Sequence, residues 1–264
     1  SMTNLKKALF LLLLISLSIG LLYFAYLGYY TRYWQDDWCY NAHFKNLGFL
    51  ETIRGYFYIT TYASNRFSLT LFSGIFYYLG VFGVQILPGL VILSFSSLMY
   101  FLIQNCQKIT HRTSSKIKVL ILSFTIVFFT IFTAPDRFQS FYWRSAILPY
   151  TFPLIFFILF LVIITSRYLK SSWNRTFYFS AVAFVSFFGT GFSEAGGAFF
   201  LTGLILVLFF FMAQKRNLST SNPHKEIIVS LYIAIFLSGM AMIIMALSPA
   251  NLPRQISYSD PSSF

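Results

Sequence analysis

Carboxylates are scarce in this chain. Seven Asp and Glu stand against nineteen Lys and Arg in 264 residues, and charged residues of both signs make up only 10%. Cysteine is limited to Cys39 and Cys106, histidine to His43, His111 and His224, and no nucleotide-binding loop, internal repeat or low-complexity tract occurs. Each shortage excludes something. With 57% hydrophobic residues and a mean hydropathy of +0.70, the chain is no water-soluble domain. Two cysteines expected on opposite sides of a membrane exclude a disulfide framework. The histidines lack the spacing of a metal site. A net charge of +12 does not mark a nucleic-acid partner, because the cations are scattered through short loops between apolar runs. Cations placed that way report topology.

Those apolar runs fall at about 8–30, 67–83, 84–106, 118–134, 146–166, 176–192, 195–213 and 227–247. Crossing a bilayer core takes roughly 20 apolar residues. The first run is too long for a signal peptide's hydrophobic region and has no small-x-small site before the polar loop, so it is expected to stay as a helix. If all eight runs spanned, Lys108, His111, Arg112, Lys116 and Lys118 would face away from the side of Lys6 and Lys7. Treating 67–83 as a re-entrant or interfacial helix restores the positive-inside pattern. The expected architecture is an all-α polytopic membrane protein of about seven transmembrane helices. It is read as one module over 1–264, with a cytoplasmic N-terminus and a first outer loop at 31–83 that contains membrane-surface helices. Asp36, Asp37, Glu51, Asp136, Glu194 and Asp260 then all lie outside, opposite most of the cations. Chemistry on the outer face is the economical reason for such a gathering.

The doublet Asp36-Asp37 follows the first run directly, in Tyr33-Trp34-Gln35-Asp36-Asp37-Trp38. A single Asp at a helix end is commonly a cap. Two, framed by indoles at a membrane boundary, suit proton transfer or cation binding. A divalent cation would accept paired carboxylates, but no third oxygen ligand lies near in sequence. Glu194 sits among Gly189, Gly191, Gly196 and Gly197. It reads either as a tightly packed turn with its acid paired to an arginine, or as a functional acid at the membrane boundary. Arg66, Arg137, Arg144 and Arg254 stand where helices meet the outer interface, where a guanidinium grips either a phosphate or a lipid headgroup. Trp34, Trp38, Tyr142 and Trp143 could stack on a sugar.

This arrangement resembles the GT-C superfamily of membrane glycosyltransferases, which includes the protein O-mannosyltransferases and aminoarabinose transferases. It is most similar to a bacterial, glucosyltransferase-like subgroup. The residues that carry the resemblance are Asp36-Asp37-Trp38, Asn65-Arg66, the stretch from Trp143 to Tyr150, the Gly191-Phe192-Ser193-Glu194 turn, and Ser248-Pro249-Ala250-Asn251-Leu252-Pro253-Arg254. The resemblance covers nearly the whole chain in topology, although each motif alone is short.

The resemblance implies transfer of a sugar from a polyprenyl-phosphate donor to an extracytoplasmic acceptor, with inversion. The acceptor would be a cell-envelope glycan, a lipid or a protein. Asp36 is expected to be the general base, with Asp37 orienting the acceptor or an arginine. Arg66, Arg144 and Arg254 are expected to bind the donor phosphate. Trp38, Trp143, Tyr150, Glu194 and Asn251 are expected to bind substrate. No cofactor is required, because phosphate is itself a tolerable leaving group. Partners would be the lipid-linked sugar, its acceptor and membrane lipids, with the site on the outer face of the cell membrane. The rival readings are a transporter or flippase, and a non-catalytic binder of lipid-linked sugar. The near absence of charge within the apolar runs and of inverted repeats weighs against transport.

Overall fold

Every element of the computed structural model is helical, with no strand among the residues it describes, 2–58, 64–112, 114–169, 174–214 and 222–252. Helix α1, Met2–Leu27, runs on through a 3₁₀ turn, Gly28–Tyr30. Helix α2, Asp36–Gly55, bends at Gly48 and lies against α3, Phe67–Tyr78. The bundle continues with α4, Gly80–Ile109, and α5, Lys116–Phe132. Two short helices follow, α6, Arg137–Phe141, and α7, Arg144–Ala146. A π-type turn, Ile147–Thr151, leads from α7 into α8, Phe152–Leu169. The chain closes with α9, Arg175–Thr190, α10, Glu194–Gln214, and α11, Asn222–Ala246.

Among the described residues, five helical stretches are long and apolar enough to cross a membrane: Asn4–Tyr30, Gly80–Ile109, Arg144–Leu169, Glu194–Ala213 and Lys225–Ala246. They mark a membrane protein. Large apolar side chains stay exposed along them, among them Leu12 and Leu22 on α1 and Phe209 and Phe210 on α10. The count falls below the expected seven because α5 and α9 have 17 and 16 residues. At 1.5 Å per residue each reaches only about 25 Å.

The run 67–83 is not one helix. Helix α3 stops at Tyr78, and Gly80 takes a φ of +62°, which a residue with a Cβ rarely adopts. The remaining residues of the run open α4. With twelve residues, α3 is about 18 Å long, too short to cross.

Helix α4 is the hub. Helices α1 and α5 pack on it and on each other, while α8 joins it to the layer of α9, α10 and α11. Two prolines decide how the connecting segments attach. Pro88 has no N–H to offer the Val84 carbonyl one turn earlier. The Thr31 hydroxyl lies 2.9 Å from that orphaned oxygen, which ties the end of α1 to α4. Pro153 likewise leaves the Pro149 carbonyl without a helical donor, and the Ser193 hydroxyl supplies one at 2.6 Å. The turn before α10 is therefore anchored to the segment that follows α7.

These contacts gather the end of α1, α2, α3, α6, α7 and the 190–194 turn at one end of the bundle. Lys118 lies over the Phe10 ring at the opposite end, where Arg167 and Arg175 meet Glu226. Among the described residues, every acid except Glu226 belongs to the α2 end.

Candidate functional site

The two carboxylates of the doublet part company. Gln35, just before α2, takes a φ of +39°, a strained value for a residue with a side chain. The chain then enters α2 with Asp37 turned inward and fully buried, and Asp36 outward and exposed. One Asp37 carboxylate oxygen accepts from Arg144 Nε and from the Ser145 backbone N–H, each at 3.1 Å, and from the Ser145 hydroxyl. The other accepts from the Trp34 backbone N–H at 3.1 Å. Arg144 Nη2 donates at 3.0 Å to both the Asp37 carbonyl and Asn41 Oδ1. Buried charge is tolerated only when paired and hydrogen-bonded in this way.

Arg144 therefore does not stand free to grip a phosphate from solvent, as its place in the sequence suggests. Its side chain is fully buried, its guanidinium carbon lies 5.4 Å from the centre of the Tyr33 ring, and its Nη1 has no hydrogen-bond partner. Burial raises the Tyr33 hydroxyl above its ordinary pKa, and it pushes the Tyr142 hydroxyl up to about 12. Both phenols are neutral donors at physiological pH. Tyr142 uses its hydroxyl on the Phe24 carbonyl at 3.0 Å, and Trp143 Nε1 donates to the Trp34 carbonyl at 3.1 Å. The segment that carries Arg144 is thus fastened both to α1 and to the loop before α2.

Beside the doublet, a cavity of about 530 Å³ is lined by Leu27, Tyr30, Thr31, Arg32, Trp34, Phe138 and Tyr142. Trp34 is half exposed and meets Phe138 edge-on, with ring centres 6.1 Å apart. Arg32 lines this cavity and is exposed, with Nη1 turned to the Tyr29 and Thr31 carbonyls. Among the described residues, no carboxylate lies within ion-pair distance of Arg32. The sequence carries a signal for it, a cation between the first apolar run and the doublet.

Glu194 forms a second centre. Its carboxylate accepts from Asn65 Nδ2 at 2.6 Å and from Arg66 Nε at 3.0 Å. The side chains of Glu194 and Arg66 are 45% and 24% exposed. The reading of Glu194 as the partner of an arginine is what the geometry displays, and Asn65-Arg66 supplies both donors. Burial pushes the Tyr56 hydroxyl to about 12, and that neutral hydroxyl donates to the Asn65 carbonyl. Asn251 does not join the carboxylate. Its amide caps the end of α11 by donating to the Met245 and Ala246 carbonyls at 2.8 and 2.9 Å.

The expected arginines thus do not converge on one acidic pair. Arg144 holds Asp37 and Arg66 holds Glu194, while Arg254 and Asp260 lie outside the described residues. Trp38 and Tyr150 are exposed, Trp38 packing edge-on to Tyr33 at 5.3 Å, and Trp143 is half-buried. Among the described residues, no three His, Cys, Asp or Glu gather as metal ligands would.

Sequence reasoning missed a third polar centre at the opposite end. Arg167 is buried and donates through Nε and Nη2 to Glu226 at 2.9 and 2.7 Å, with its guanidinium 5.2 Å from the Tyr178 ring centre. Ser230 links the Tyr178 hydroxyl to α11. A cation in a short loop looked like a topology signal, but it staples α8 to α11. No family model, curated protein or solved structure matches the chain.

Proposed function

We propose that this protein is a membrane glycosyltransferase that moves a sugar from a polyprenyl-phosphate donor to an acceptor hydroxyl at the α2 end of the bundle. The observation that carries this reading is the division of labour within the doublet. Asp37 is sealed with Arg144 and sets the geometry. Asp36, one residue away at the start of α2, is exposed and has no ion-pair partner among the described residues. Paired carboxylates in contrasting environments are the usual sign of separate chemical roles.

In the reaction Asp36 takes the proton of the acceptor hydroxyl as its oxygen attacks the anomeric carbon. The bond from that carbon to the phosphate oxygen breaks on the opposite face, and the phosphate leaves with the electron pair. Inversion follows from a single displacement. The departing charge needs a preorganised cation. Arg32, on the wall of the aromatic cavity, replaces Arg144 in that role, and Arg66 becomes available if a ligand competes for Glu194. Trp34 and Phe138 give the sugar or the first isoprene units an apolar face.

In this reading α5 and α9 also cross the membrane, slightly tilted or locally thinning it, which makes seven spans. The cation-rich end then faces the cytoplasm and the doublet faces outward. The N-terminus is cytoplasmic, and the acceptor is an envelope glycan, lipid or protein.

The test is incubation of the purified protein with radiolabelled polyprenyl-phosphate sugar and a mixture of envelope acceptors. Release of polyprenyl phosphate with label moved to an acceptor is expected, and Asp36→Asn should slow it about 10²–10⁴-fold without loss of fold. Retention of intact donor, or full activity in Asp36→Asn, rejects the assignment.

A further inference from the structure

A cavity of about 790 Å³ lies far from the doublet, between α1, α4 and α5. Its wall along α4 runs from Gly89 to Phe101, about 18 Å, more than half of the hydrocarbon thickness. The cavity exists for two reasons. Small residues line it, among them Ser18, Ala25, Gly89 and Ser97. Helices α1 and α5 also make their main contacts with α4 and each other, so no second row of helices backs the gap.

The polar features of this cleft are ordered. Lys116 lines it at the start of α5, together with Tyr100. Lys118, at the same end of α5, lies 5.7 Å from the Phe10 ring of α1. Among the described residues, neither Lys116 nor Lys118 has a carboxylate within ion-pair distance. Ser96 lines the cleft one helical turn, about 6 Å, deeper than Tyr100. Its hydroxyl is buried and has no hydrogen-bond partner.

We infer that this cleft binds an anionic glycerophospholipid. Its acyl chain lies along α4, its phosphate meets Lys116, and an ester carbonyl just below the phosphate accepts from Ser96. The ligand follows from the order of groups: a cation at the mouth, a hydroxyl donor one turn in, then an apolar channel. A soluble phosphate would leave the channel empty, and a zwitterionic lipid would gain less from Lys116, because its own ammonium offsets the phosphate charge. The site is separate from the doublet and does not depend on the proposed transfer reaction.

The test uses the full chain in detergent, with phosphatidylglycerol and phosphatidylcholine of equal chain length added in turn. Lipid retained is read by native mass spectrometry, and the unfolding midpoint is measured alongside. Phosphatidylglycerol should be retained preferentially and should raise the midpoint more. Lys116→Gln should cut its retention about fivefold, the value of one lysine near a lipid phosphate. Gly89→Leu should weaken retention of both lipids, because a Cβ there meets nothing closer than Ala25 Cβ at 3.9 Å and the added side chain narrows the cleft. Ser97→Phe fills it from another position and serves if Gly89→Leu does not fold. Equal retention of the two lipids by the unaltered protein, or undiminished phosphatidylglycerol on a filled cleft, overturns the proposal.

Discussion

Two of the carboxylate–guanidinium pairs at the α2 end of this bundle differ in burial. Arg144 and Asp37 meet at 3.1 Å with both side chains fully buried, whereas Arg66 and Glu194 meet at 3.0 Å with 24% and 45% of their side chains exposed. Distance alone does not separate them. Burial does, because a desolvated charge depends on its partner and a wetted one has water as an alternative. The sealed pair fixes where α2 meets α7. The open pair can exchange a partner for a ligand without a large loss of stability.

The widest gap between the pairs should appear on neutralising one acid in each. Asp37→Asn leaves Arg144 as an uncompensated buried charge and should cost about 3–5 kcal/mol of stability, read as a lowered unfolding midpoint in detergent. An unchanged midpoint would mean that the pair is not sealed in the folded protein. Removing a donor rather than the acid narrows the effect. Ser145→Ala deletes a hydroxyl bond to the buried carboxylate and should cost about 1.5–3 kcal/mol in the same measurement. Glu194→Gln should cost about 1 kcal/mol or less, and raising the salt concentration should shrink even that. A large, salt-independent loss there would place Glu194 in the sealed class. Asp36→Asn should leave the midpoint where it is, which separates its chemical role from the structural role of Asp37.

Several parts of this molecule were readable from residue order. Apolar runs translate directly into helices because a backbone in lipid must satisfy its own hydrogen bonds. The expected stretches at 8–30, 84–106, 146–166 and 195–213 fall within helical stretches long and apolar enough to span, and 227–247 runs one residue past the end of the last of them. The reading of 67–83 as a non-spanning helix came from charge bookkeeping together with its composition and short length; its last residues, 80–83, instead open α4. Glu194 had two readings in the sequence, an arginine-paired acid in a glycine-rich turn or a functional acid, and the structure pairs it with Arg66. The partners were a different matter. Arg144 and Asp37 are 107 residues apart in the chain, and Arg167 and Glu226 are 59 apart. Nothing local distinguishes an arginine that holds an acid from one that waits for a ligand, so residue order leaves the roles of Arg144 and Arg32 open.

Hydropathy and the spacing of charges by themselves determined that this chain is a helical membrane protein with most of its acids gathered at one end, since transfer of side chains into lipid is a property of each residue and its near neighbours. Only the tertiary structure decided which of two adjacent aspartates is sealed and which is open. A helix entering at Gln35 turns successive side chains to different faces, and the arginine that closes over one of them arrives from a distant segment.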